Sequence, residues 1–196
     1  MKTVVLAFWM YALPLAGAAL TQSERDALLA QLEKSSKTFL ASLGGVSEVQ
    51  WGYKPAADRW SIAECAEHVV TADQMMFLLA SQQLVKMPAP DKPERRSDDS
   101  ILASATDRSK KVKTAEFLES KGRYQARAEV IAAFQASRAK IVEYVKTTQD
   151  DLRGHGFQGP GGYADAYQFL LSLSGHAERH SQQIAEVKTD PGYPKK

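Results

Sequence analysis

The sequence is poor in cysteine, with a single residue, Cys65, among 196. One thiol cannot form an intramolecular disulfide, so a domain of this size must be stabilised by its hydrophobic core. Net charge is also small, because 25 lysines and arginines balance 23 aspartates and glutamates. A formal charge of +2 is too small to predict binding to nucleic acid or to an anionic surface.

Strand-like alternation of polar and apolar residues is nearly absent, whereas helical spacing recurs along the chain. The pattern predicts four helices, which run from Ser23 to Gly44–Gly45, from Trp60–Ser61 to about Leu84, from about Ala126 to Lys146 and from Tyr163 to about Lys188. Ser23 is the predicted N-cap of the first helix, and Ser61 with Glu64 forms a capping box at the second. The expected fold is therefore all-α, a four-helix bundle with a long connection between helices two and three.

That connection, from Met87 to Gly122, contains many charges, as in DKPERRSDD, and one short helix is expected in it. A solvated connection and a functional lid both stay open as interpretations. No internal repeat is visible.

The N-terminus does not resemble the rest of the chain. Lys2 precedes the apolar run TVVLAFWMYALPL and the small residues Ala16–Ala19. This pattern predicts a signal peptide over residues 1–19, followed by one domain over residues 20–196 that is periplasmic or secreted. After cleavage no stable membrane insertion is expected. The alternative is an uncleaved anchor, because no charge appears between Lys2 and Glu24.

Two of the four histidines lie one helical turn apart in the last predicted helix. His176 and His180 therefore share a face, and two imidazoles at this spacing can bind one divalent metal. A pair alone is weak evidence, because each ring can instead hydrogen-bond a carbonyl or a carboxylate. His68, at the border of the apolar face of helix two, meets the pair if helices two and four are neighbours. Three such ligands would leave a coordination position open for water or substrate.

Other residues near these histidines have less specific interpretations. Gln183 lies about one turn beyond His180 and is expected either to contact the site or a substrate, or to pack between helices. Glu67 and Glu178 neighbour histidines in sequence but point about 100° away on their helices, which predicts exposure to solvent. His155, in a glycine-rich turn, is expected to be an exposed loop residue.

Three further features are predicted to lie outside the site. Trp60 is expected to pack at the start of helix two, although a substrate wall stays open. Cys65 is expected to be a small buried side chain. The run Arg108–Lys113 is predicted to be a solvated basic patch, because it lacks the interleaved aromatic residues of a nucleic-acid surface.

Two segments resemble the DinB superfamily, also described as DinB/YfiT-like metalloenzymes. They are WGYKPAADRWSIAECAEHV and DAYQFLLSLSGHAERHSQQIAEV, the second with its H-x-x-x-H followed by Gln-Ile. The resemblance implies a four-helix bundle with one divalent metal held by His68, His176 and His180. Members of that family include metal-dependent transferases and isomerases that use low-molecular-weight thiols. Characterised thiol-using members work in the cytoplasm, whereas the predicted signal peptide implies that this chain is exported.

The expected function is that of an exported metal-dependent enzyme acting on a small-molecule substrate, either a hydrolase or a thiol S-transferase. Zinc is the first candidate for the metal, with nickel, manganese and iron as alternatives. The main alternative is a non-catalytic bundle that binds metal or a small ligand. A third hypothesis is a structural bundle whose histidines are satisfied internally. Formation of a homodimer stays open.

Overall fold

The computed structural model describes residues 18–88, 94–109, 113–159 and 161–195. Its helices are α1 (Gln22–Ser42), α2 (Glu48–Gly52), α3 (Ile62–Leu78), α4 (Asp98–Thr106), α5 (Arg127–Thr147) and α6 (Ala166–Lys188). A hairpin pairs β1 (Gly156–Gly159) with β2 (Gly162–Asp165). The long helices α1, α3, α5 and α6 form a four-helix bundle, in which α1 and α3 each pack against both α5 and α6. The predicted all-α bundle is confirmed, with the hairpin as a small addition.

The predicted signal peptide lies almost entirely outside the described residues, which begin at residue 18. Within the described ranges, no helix has the length and apolar character needed to cross a membrane. Leu20 is buried against the core immediately before α1.

Reciprocal capping boxes define the start of three bundle helices. At α3 the Ser61 hydroxyl accepts from the Glu64 amide, and the Glu64 carboxylate accepts from the Ser61 amide, as predicted. At α1 the cap is Thr21, paired in the same way with Glu24. The prediction of Ser23 was therefore wrong by two residues.

The end of α3 is not a simple stop. The helix continues through a π-helical segment, Leu79–Gln83, and a 3-10 turn, Leu84–Lys86. The predicted end near Leu84 falls within this extension.

The last helix begins later than its pattern predicts. Tyr163 belongs to strand β2, where Gln158 is its partner, and α6 begins only after the N-cap Asp165. The glycines around residues 156–162 allow a tight hairpin, and Gly162 adopts a positive φ of 98°. The hairpin was missed because each strand has only four residues, too few for a period to be read.

The long connection folds back onto the bundle at two places. The expected short helix is α4, which packs along α6. Gly175 permits this approach, because a Cβ atom there would lie 2.6 Å from the Ala105 side chain of α4. Further along, the 3-10 turn Glu116–Leu118 packs against α3. Residues 89–93 and 110–112 lie outside the described residues.

A buried ion pair joins the bundle helices near their middle. The Arg138 guanidinium on α5 donates to both carboxylate oxygens of Asp73 on α3, at 2.6 and 3.2 Å. It also donates to the Ser35 hydroxyl on α1 and to the Leu173 carbonyl on α6. Burial raises the pKa of Asp73 to about 6, against the opposing effect of Arg138. One side chain thereby fixes the register of all four bundle helices.

Candidate metal centre

Three histidines from two neighbouring helices converge inside the bundle. The Nε2 atom of His176 lies 3.1 Å from Nε2 of His68 and 3.1 Å from Nε2 of His180. His68 and His180 are only 3% and 6% exposed. His155 is not part of this cluster; its ring contacts the carbonyl of Met87.

The distances suit a metal ion. Bonds of about 2.0–2.1 Å from one tetrahedral ion to two imidazoles separate the nitrogen atoms by about 3.3 Å. The observed separations of 3.1 Å are close to this value. The three residues offer ligand atoms that all lie within 4.8 Å of one another.

The orientation of His68 is set by a backbone carbonyl. Its Nδ1 lies 2.8 Å from the carbonyl oxygen of Leu118, in the 3-10 turn of the connection. A carbonyl only accepts hydrogen bonds, so Nδ1 carries the proton and Nε2 presents a lone pair to the other two rings. Ligating histidines commonly show this pattern.

Proton counting shows that the cluster cannot satisfy itself. Because Nε2 of His68 has no proton, its contact with His176 is a hydrogen bond only if Nε2 of His176 donates. That single proton is then used, and the Nε2 atoms of His176 and His180 cannot form a hydrogen bond in neutral rings. Charging a ring does not help, because Nε2 of His176 still has only one proton or one lone pair for its two neighbours. One cation, in contrast, would accept all three lone pairs.

Burial keeps these rings neutral. Desolvation, and then the neighbouring His68, lower the pKa of His176 to about 3. Desolvation followed by His176 lowers the pKa of His180 well below its usual range. The pKa of His68 is also lowered by burial, although its bond to Leu118 acts in the opposite direction. Neutral imidazoles are the form that binds metals.

Glu67 differs from its prediction and supports the site indirectly. Its side chain is buried and accepts from the backbone amides of Lys121 and Arg123, at 2.7 and 3.1 Å, and from the Arg123 guanidinium at 3.0 Å. Burial alone would raise the pKa of Glu67, but these donors lower it on balance. The carboxylate thus anchors the segment that follows Leu118, whose carbonyl orients His68. The predicted solvent exposure of Glu67 was wrong.

Glu178 is not freely exposed either. It lies 3.3 Å from Lys34 on α1, and 17% of its side chain is accessible. Its contact joins α6 to α1.

Trp60 and Cys65 both have clear positions. The Trp60 ring stacks on His180, with centroids 5.9 Å apart and planes inclined by 14°, and meets His68 at 4.8 Å. It therefore forms a wall of the site. The sequence predicted packing at the helix start, with a substrate wall as the alternative. Cys65 is buried in the core, as predicted, and desolvation raises the pKa of its thiol to about 12.

A cleft of about 860 Å³ opens over the three imidazoles. This volume lies within the range of about 300–1,000 Å³ usual for small-molecule sites. Gln183 lines the cleft and accepts a long hydrogen bond of 3.4 Å from Arg108. Arg108 also forms two hydrogen bonds with Glu186, at 3.1 and 2.7 Å, and Arg59 contacts the same carboxylate. Arg108, the first residue of the predicted basic patch, is thus part of the cleft rim, and residues 110–112 of that patch lie outside the described residues.

The fold and the cluster together define the class of protein, a four-helix bundle with a candidate metal site between two helices. The chain belongs to the DinB superfamily, whose family model matches residues 31–184. It is 23% identical over 147 residues to the uncharacterized protein YuaE of Bacillus subtilis, covering 74% of this chain and 88% of YuaE.

A solved structure shares the fold. It is that of YfiT from Bacillus subtilis, described as a probable metal-dependent hydrolase with an unusual four-helix bundle topology. The match has a TM-score of 0.61 and 13% sequence identity, and covers 90% of this chain and 92% of YfiT. At this identity the likeness concerns the fold.

Proposed function

We propose that this protein is a metal-dependent hydrolase of small molecules, with one divalent ion held by His68, His176 and His180. The observation that carries the proposal is the pair of 3.1 Å contacts between Nε2 atoms, which neutral imidazoles cannot both satisfy by hydrogen bonding. Three protein ligands leave room for a fourth, as in catalytic rather than structural sites.

Zinc is the first candidate, because neutral imidazole suits it and the nitrogen separations match its bond lengths. Nickel, manganese and iron are the alternatives. A divalent ion in such a site acidifies a bound water and polarises a substrate carbonyl.

The protein residues have distinct tasks in this proposal. Leu118 fixes the tautomer of His68, and Trp60 covers the His180 ring, so that the ligands keep their orientation. Gln183 and Arg108 lie at the rim of the cleft, where they can hold a polar group of the substrate. Cleft volume supports a substrate of ordinary metabolite size.

Hydrolysis is preferred to thiol transfer. The description of YfiT as a probable metal-dependent hydrolase supports it. The chain's own thiol does not serve a transferase, because Cys65 is buried and its pKa is raised to about 12. A transferase would need an external thiol.

The proposal includes export. The apolar run after Lys2 and the small residues Ala16–Ala19 support a signal peptide over residues 1–19. The mature domain would then begin at residue 20, just before the cap of α1.

The test measures hydrolysis of a panel of carboxylic esters, phosphate esters and thioesters. It uses tag-free protein that has been stripped of metal with a chelator and reloaded with zinc. Turnover is expected only with zinc, and His180→Ala should abolish it. His155→Ala is the matched control, since that histidine lies outside the cluster, and it should keep wild-type turnover.

Three outcomes would overturn the hydrolase proposal. The first is equal turnover with and without zinc, or in His180→Ala. The second is stoichiometric zinc without turnover across the panel, which would favour a binding protein. The third is turnover that depends on an added thiol, which would favour a transferase.

A further inference from the structure

A second, apolar groove of about 360 Å³ lies between α4, the hairpin and α6. Its walls are mainly apolar side chains, among them Met76, Ile101, Phe157 and Phe169. Phe157, on β1, is 46% exposed, an unusual position for a phenylalanine. A concave, mainly apolar cavity of this volume is within the range usual for small-molecule sites.

Most polar groups in this groove are already used within the protein; among the described residues the exception is the buried hydroxyl of Tyr163, which has no hydrogen-bond partner. Arg96, its one charged residue among those the structure describes, donates to the carbonyls of Gly161 and Ser100, at 3.2 and 2.9 Å, and to the Ser104 hydroxyl. The Ser172 hydroxyl donates to the Gln168 carbonyl at 2.8 Å. A ligand in the groove would therefore meet mostly carbon atoms.

The groove adjoins the cleft over the histidines. Met76 on α3 and Ser104 and Ala105 on α4 line both cavities. A molecule that occupied both cavities would pass these three residues on its way from the imidazoles to the hairpin. The two ends differ in character, because the histidine cleft has a charged rim with Arg108 and Glu186.

We propose that this groove binds the apolar part of the substrate, an alkyl or aryl group whose polar reacting end lies at the three histidines. The inference rests on the proposed function, since it concerns the substrate of the same site. Burying a methylene group contributes up to about a fourfold gain in affinity. The substrate class is therefore an amphipathic small molecule, such as an acyl compound.

The test is isothermal titration of the zinc-loaded full chain with linear hydroxamates, from acetohydroxamate to octanohydroxamate. The hydroxamate group chelates a metal, and the alkyl chain probes the groove. Affinity should rise roughly twofold to fourfold for each added methylene until the groove is filled. Failure of acetohydroxamate to bind would contradict the open metal site, and so the proposed function. Binding of acetohydroxamate with no gain from longer chains would overturn the groove alone.

Two variants place the gain in the groove. Ser172→Phe should fill it and abolish the advantage of octanohydroxamate, while leaving the affinity for acetohydroxamate within about twofold. Gln182→Phe adds the same ring on the exposed side of α6 and should change neither. Phe157→Ala removes an exposed wall, a change that spares the core, and should weaken binding of the long chain.

Unchanged chain-length dependence in Ser172→Phe and Phe157→Ala would overturn the proposal. A shift of oligomeric state in Phe157→Ala, without an effect on the long chain, would also overturn it and would identify the groove as a contact with a second copy.

Discussion

Two buried polar clusters both involve α3 and α6, and they differ in whether the protein satisfies their hydrogen bonds. Arg138 makes four hydrogen bonds to groups on three other helices, and its charge is balanced by Asp73. The histidine cluster, in contrast, has two contacts to Nε2 of His176 that cannot both be hydrogen bonds. The first cluster completes the fold from within the chain. The second cluster needs a bound partner that the chain does not supply, which is typical of a binding site rather than of a structural contact.

The two clusters are also mechanically related. Asp73 follows His68 on α3, and Leu173 precedes His176 on α6. By bonding to both helices, Arg138 sets the register that brings the histidines together. Substitutions in the two clusters should therefore separate stability from metal binding.

The largest effect is expected at the satisfied cluster. Asp73→Ala leaves the Arg138 charge buried without its partner, and should lower the free energy of unfolding by about 3–5 kcal/mol. Urea denaturation of the metal-free protein measures this. The double variant Asp73→Leu/Arg138→Met should recover most of the loss. A loss below about 1 kcal/mol in Asp73→Ala would show that the pair does not hold the fold.

The opposite behaviour is expected at the histidine cluster. His176→Leu should weaken zinc binding by more than about 100-fold, exceeding the loss expected for a supporting residue. It should leave the metal-free protein as stable as the wild type or more stable, because it removes an unsatisfied contact. Competition with a chelator and urea denaturation measure the two quantities. His155→Leu is the control. Strong destabilisation with unchanged zinc affinity would reverse the distinction between the clusters.

Glu67 should show an intermediate effect on metal affinity. Glu67→Ala releases the segment whose Leu118 carbonyl orients His68, and should weaken zinc binding about 10–100-fold. Glu67→Gln keeps one acceptor and should lose less. Glu178→Gln, on α6 and paired with Lys34, is the matched control and should bind zinc like the wild type. Equal losses in the Glu67 and Glu178 variants would refute the role of the carboxylate.

The smallest effect is a pH dependence. The pKa of His176 is lowered from 6.5 to about 3 in the folded protein, so the unfolded chain binds more protons below pH 6.5. The free energy of unfolding of the metal-free protein should therefore decrease as the pH is lowered. Protonation of this ring in the unfolded chain accounts for about 1 kcal/mol of the decrease between pH 6.5 and 5.5. His176→Leu should show a decline smaller by that amount. Identical declines in both proteins would contradict the neutral, buried state of the ring.

Local features of the molecule could be read from the sequence. The spacing of His176 and His180 places both on one face, and Ser61 with Glu64 caps α3 as its pattern predicts. Thr21 and Ser23 are both residues favoured at N-caps, but only Thr21 has a glutamate three residues later, and this pair forms the capping box at α1. The distance from His68 to the pair depends on which helices are neighbours, and periodicity does not report that.

Contacts between a helix and an irregular segment could not be predicted. The carbonyl of Leu118 and the amides of Lys121 and Arg123 meet α3 about fifty residues after His68, and no periodic pattern marks them. Solvent exposure was predicted for Glu67 from its position on α3 alone, without the connection that covers that face of the helix. Trp60 was predicted to pack near the start of α3, but its contact with His180 depends on the packing of α6.

Elemental analysis of tag-free protein tests the central claim most directly. The wild type should contain about one divalent ion per chain, because three converging imidazoles make one site. His68→Ala and His180→Ala, checked for folding by circular dichroism, should each retain almost none. Metal content equal to that of the wild type in both variants would contradict the account.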